Sequence, residues 1–194
     1  MVPREIALNV LMTALSAVVG KLTESLIDVI GKDKKENSQN HNDESNHNDE
    51  SNHNDESNQN DKYKVDLEVV KKLKRGIGEI CDVYEEHIEK VIEELDSISE
   101  DEIIAFFSEE NKELEKILNV LYEYEGSVAR ILPNQIEEYK ARRDDLRKIQ
   151  ESITKFINKG ESLDLYTTLN QYQGDINALY SVFKEIVDAD AINI

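Results

Sequence analysis

Toward the C-terminal end of the chain, apolar residues recur at spacings that alternate four and three: Leu165, Leu169, Tyr172, Ile176, Leu179, Phe183 and Ile186. This spacing keeps one face of an α-helix apolar and is the seam of a coiled coil. It predicts a helix over about Ser162 to Val187. The same repeat runs through Val70, Leu73, Ile77, Ile80, Tyr84, Val91 and Ile98, with Leu67, Ile88 and Leu95 widening the stripe. It predicts a helix from about Val65 to Leu95, whose seam His87 and Glu94 interrupt.

Between these two lie further helical patterns. Ser99 answered by Glu102 reads as a capping box, which starts a helix carrying Ile103, Phe106 and Phe107. Ser108-Glu109-Glu110 is a second acidic start signal, capping a separate helix or sitting on an exposed face. The pattern continues through Leu114, Ile117, Leu118, Leu121 and Tyr124. Gly126 and Pro133 bracket the next boundary. Pro133 suits a first helical turn, and Glu137 and Glu138 follow it closely. Ile136, Tyr139, Leu146, Ile149, Ile153, Phe156 and Ile157 form an inner face, and Lys159-Gly160 makes a stop.

The N-terminal stretch is different in kind. Pro3 suits a first helical turn, and polar residues from Glu5 onward fall on one narrow stripe: Asn9, Thr13, Ser16, Gly20 and Thr23. The rest of Ile6 to Val19 is almost wholly apolar, so a helix there requires burial on more than one side. A core helix packed into the body fits best. A secretory signal peptide fits less well, because Glu5 offsets Arg4, Asn9 interrupts the apolar run and no A-x-A site follows. A membrane-associated or self-associating helix is the third reading. The strongest apolar run, before Gly20-Lys21, looks too short to span a bilayer, and the stretch lacks the aromatic residues of interfacial helices.

Near-identical copies of SNHNDE fill residues 38–61. Asn, Asp and Ser favour turns, and so polar a segment cannot offset the entropy of ordering, so disorder is expected from about Asp33 to Asp61. His41, His47 and His53 recur beside carboxylates, which raises metal binding. However, a six-residue period presets no tetrahedral site and no thiolate adds affinity, so a solvated spacer is the expectation. Such a tether of ~30 residues has an r.m.s. reach of roughly 30 Å, enough for the first helix to complete the bundle.

Charge narrows the partners. The formal net charge is −19, and the acidity is spread over the chain rather than held in a tail. No basic footprint for phosphates appears, which argues against nucleic acid and disfavours anionic membranes. A basic partner protein would be attracted. Arg142, Arg143 and Arg147 form a basic cluster that is expected to pair with helix-borne carboxylates. Cys81 is the single cysteine, so no internal disulfide forms. Glu79, Asp82, Glu85 and Glu86 nearby would raise its pKa rather than activate it.

Chemical motifs are not apparent. A di-iron bundle site needs two Glu-x-x-His motifs, whereas the body has only His87, preceded at that spacing by Tyr84. No phosphate loop, dinucleotide fingerprint, C-x-x-C or H-E-x-x-H is present. Tyr122, Tyr124, Tyr139, Tyr166, Tyr172 and Tyr180 lie on or beside apolar seams and read mostly as core-edge residues, a tyrosine-lined groove for a partner being the lesser reading.

The chain therefore reads as all-α: an antiparallel helical bundle of about four to five long helices with a disordered linker after the first. Residues 1–31 form an apolar N-terminal helix, 32–63 the linker and 64–194 an acidic helical body. The expected function is that of a non-enzymatic interaction or structural protein, cytoplasmic, working through a protein partner or self-association. No catalytic, cofactor or metal residues are assigned. The alternative is a membrane-active or secreted helical protein that uses residues 1–31.

Overall fold

The computed structural model describes residues 6–38 and 55–187, the side chains of Ile6, 32–38 and 55–58 excepted. The fold is an all-α antiparallel helical bundle. Its elements are α1 (Ile6–Ser38), α2 (Asp55–Leu95), α3 (Glu100–Glu123), α4 (Glu125–Ile131), α5 (Ile136–Lys159) and α6 (Leu165–Val182).

Local chemistry sets most of the boundaries. Ser99 caps α3 through the full reciprocal capping box: its side chain accepts from the Glu102 amide while the Glu102 carboxylate accepts from the Ser99 amide at 2.8 Å. This satisfies two of the orphan groups at a helix start. Gly160 closes α5 in the left-handed conformation, φ 64°, where a side chain would be strained. Asp164 caps α6 by accepting from the Thr167 amide at 3.0 Å.

Several boundaries differ from the sequence reading. Helix α2 starts at Asp55 and α1 carries on to Ser38, so helix enters both ends of the segment expected to be disordered. Residues 39–54, with His41, His47 and His53, lie outside the described residues. Pro133 is not in a first helical turn. It sits in a turn closed by the Gln135 amide on the Leu132 carbonyl, and α5 begins only at Ile136. The seven-residue α4 fills the expected boundary after Gly126. Helix α6 ends at Val182, yet Phe183 and Ile186 stay buried in the turns beyond it.

Five helices stand as staves of a ring. Cys81 meets Ile176 and Tyr84 meets Tyr172, so α2 and α6 run antiparallel. Phe107 faces Phe156 and Tyr139 reaches the Leu121 carbonyl, so α3 and α5 do likewise. Tyr139 against Phe183 and Arg142 against Asp175 join α5 to α6 in the same sense. Helix α1 completes the ring between α2 and α3, which have at most marginal contact of their own. Its pairings with α3 advance together, from Met12 beside Phe106 to Leu26 beside Val120, so these two are parallel. It follows that α1 and α2 are antiparallel.

The inner face of α1 is Leu8, Leu11, Leu15, Val19, Leu22, Leu26 and Val29, all buried in the common core. At about 25 cal/mol per Å² of apolar surface, such burial is a large favourable term. The α1–α2 approach is close: a Cβ built on Gly76 would come within 2.5 Å of a Leu22 methyl. On the other side of the ring, Asp66 of α2 is tied to α4, accepting from Ser127 Oγ at 2.8 Å and from Arg130 in bidentate fashion.

Candidate functional site: an acidic centre beneath the first helix

Glu110 lies in the middle of the ring. Its side chain continues the seam Ile103, Phe107, Leu114, Ile117 and Leu121 at the same four-three spacing, and the residue is 1% exposed. The sequence reading left Glu110 as a start signal or an exposed residue; register instead carries it inward. Among the described residues neither of its carboxylate oxygens has a hydrogen-bond partner. Burial, with Glu113 adding like charge, pushes its pKa up to about 8. Burial thus favours the neutral acid over the carboxylate near neutrality.

Glu113 is one turn further along α3 and also buried. Its Oε1 accepts from Ser16 Oγ of α1 at 2.9 Å and from Lys116 Nζ at 2.8 Å, while Oε2 has no partner. Across the core stand Tyr84 of α2 and Tyr172 of α6, both fully buried, with ring centroids 4.5 Å apart. Neither hydroxyl is hydrogen-bonded. Burial raises the Tyr172 hydroxyl well above its usual value, and Glu110 and Glu113 add to the effect. Four polar side chains from three helices thus lie in an otherwise apolar core, and α1 reaches one of them, Glu113, through Ser16. Buried polar groups normally have partners, so this centre is unusual.

The residues singled out from sequence fall elsewhere. Arg143 pairs with Glu125 and with Asp144 at 3.1 Å, and its guanidinium lies 4.1 Å from the centre of the Tyr122 ring. Arg142 faces Glu138, Asp145 and Asp175, and Arg147 faces Glu151 and the Tyr122 hydroxyl. All three are committed to internal partners, as their carboxylate-rich surroundings suggested. Tyr124, Tyr139 and Tyr172 are buried, while Tyr122 and Tyr166 are exposed. The Tyr139 hydroxyl donates to the Leu121 carbonyl at 2.8 Å, and burial raises its pKa.

Cys81 is buried, its thiol directed at the Ile176 carbonyl at 3.6 Å. Burial first, and then Asp82 and Glu85, push it up to about 12, so it is no nucleophile at neutral pH. His87 is partly buried, 3.8 Å from Glu86. Among the described residues no three His, Cys, Asp or Glu side chains gather in a way that could hold a metal ion. Comparison with family models, with curated proteins and with solved structures finds no match to this chain.

Proposed function

We propose that the protein is a non-enzymatic helical-bundle interaction protein whose exchangeable contact element is α1. One observation carries the reading: α1 packs between α2 and α3, which α4 bridges as well through Asp66, and it presents apolar groups on both sides. Its inner face is core, whereas away from the core Val10 is 40% exposed beside Ala14, Ala17, Asn9 and Thr13, and Ile27 is 61% exposed in a separate groove with Ile30 and Val120. A helix with apolar residues on opposite sides can serve one partner inside the bundle and another outside it. Its four-three seam is of the coiled-coil kind, which suits exchange between helical partners.

Native-state hydrogen exchange tests this on the full chain. The amides of α1 are expected to exchange through an opening of lower free energy than that of α5 and α6, as one cooperative unit. If α1 exchanges only when the whole bundle unfolds, the exchangeable-helix reading is wrong.

A second reading, release of α1 into a bilayer, is favoured by a different observation. The sequence reading stopped the apolar run at Gly20-Lys21, but Ala7–Gly31 is long and apolar enough to cross a membrane by length and composition. Lys21, Lys72 and Arg75 also line the groove beside it. Flotation with liposomes separates the two readings. Binding that requires residues 1–31 favours the bilayer, and its absence favours a protein partner.

A further inference from the structure

We propose that the seating of α1 between α2 and α3 is proton-linked through Glu110, so that acid holds the helix in the bundle and alkaline conditions loosen it. The proposal rests on the reading of α1 as an exchangeable element and names what regulates it.

The geometry carries the argument. Glu110 is buried on the inner seam of α3, with both oxygens unpartnered among the described residues, and α1 packs on α3 one turn away, where Ser16 donates to Glu113. What α1 offers the acidic centre is meagre. Ser16 Oγ donates to Glu113, and the neighbouring inward positions are Leu15 and Val19. Lys21, the cation among the described side chains of α1, lies in the groove with Lys72 and Arg75, so closing the gap removes water from Glu110 without supplying a charge partner from these residues. A neutral acid tolerates that; a carboxylate does not.

The other elements packed around the centre give no relief. Helix α3 contributes Glu113, of like charge, with Lys116 already bound to the outer oxygen of that group. Helix α6 contributes Tyr172, and α2 contributes Tyr84 and Cys81. Tyr172 and Cys81 ionise only well above neutrality. Helix α5 contributes apolar Ile149 and Ile153 to the core. Ionised Glu110 would therefore face a second carboxylate among buried apolar side chains, and opening the α2–α3 gap returns it to water.

The sign follows from linkage. With α1 seated, Glu110 titrates at about 8, above its ordinary value of 4.5. Seating is at full strength below the ordinary value, weakens as pH rises through the interval, and weakens no further once Glu110 is ionised in both states. Within the interval the opening constant of α1 rises by up to about tenfold per pH unit.

The test uses the full chain. Amide exchange of α1, corrected for the intrinsic rate, is measured from pH 5.5 to 8 for the wild type, Glu110→Gln, Glu110→Leu and His87→Gln. Glu110→Leu guards against a misfolded amide variant, since leucine suits the apolar surroundings. His87→Gln controls for the histidine of α2. The expected result is an opening constant that climbs with pH in the wild type and His87→Gln, and stays flat in both Glu110 variants. A slope that survives in Glu110→Leu, or a flat wild type, overturns proton linkage while leaving the exchangeable helix standing. If α1 never opens apart from the bundle, both proposals fall.

Discussion

Asp66 offers a quantitative test of how the helices are fastened. It is 4% exposed on α2, and its two oxygens accept from Ser127 Oγ at 2.8 Å, from Arg130 Nη2 at 2.7 Å and from Arg130 Nε. Asp66→Ala removes all three bonds. Ser127 is buried and loses its partner, which costs about 1–3 kcal/mol. The Arg130 side chain is 47% exposed and can hydrate once released, so the lost ion pair adds only about 1 kcal/mol. The expected destabilisation is about 2–4 kcal/mol, and Asp66→Asn, which keeps an acceptor for Ser127, should lose roughly half of that. Urea unfolding followed by far-ultraviolet dichroism reads this as a lower midpoint at unchanged slope. A double-mutant cycle with Arg130→Ala should return a coupling of about 1 kcal/mol.

Acidity supplies a second axis. Burial alone would raise the pKa of Asp66, but the bonds from Arg130 and Ser127 outweigh it and hold it below the usual 3.8. Its contribution is thus present above that value and lost as pH falls through the folded-state value, so wild type and Asp66→Asn should converge in strong acid. Equal midpoints for wild type and Asp66→Ala at pH 7 would refute the reasoning.

Two further predictions concern packing. Phe183→Ala should cost about 3–5 kcal/mol, because the ring is fully buried against Tyr139 although it lies past the end of α6; an unchanged urea midpoint would show that this end is not packed. Gly174→Ala should raise stability by about 0.5–1 kcal/mol, since nothing lies within 4 Å of the new methyl. Gly76→Ala should lower it by about 1–2 kcal/mol despite the same gain in helix propensity, because buried Leu22 stands in the way; a matched rise in thermal midpoint for both variants would contradict the close α1–α2 contact.

Much of the fold was legible because periodicity reports burial directly. From Leu169 to Phe183 the alternating spacings identify residues that are all buried, and Ser99 with Glu102 marks the start of α3. The acidic centre was harder to read. Glu110 sits in register with Phe107 and Leu114, but its charge argues for the surface, and only the position in the repeat argues for the core. Giving spacing precedence over residue type would have placed it inside. Helix α4 is too short to show a period, so Gly126 and Pro133 dominated the reading of that region. The start of α2 lies among Asn, Asp and Ser, whose turn preference masks a helix extended from the packed part of α2. Of the two partners of Arg143, Asp144 is its sequence neighbour, whereas Glu125 was not readable, because it comes from another element that tertiary packing brings alongside.

The antiparallel placing of α1 and α2 bears on the SNHNDE repeat. Ser38 and Asp55, where the two helices end and begin, belong to the same end of the ring, so residues 39–54 link adjacent staves and need not travel the length of the bundle. By loop statistics, one more six-residue unit changes the closure free energy by only about 0.3 kcal/mol. Slippage during replication could therefore add or remove copies with almost no effect on the packed helices. On closure free energy alone, the packed helices place little constraint on the number of copies.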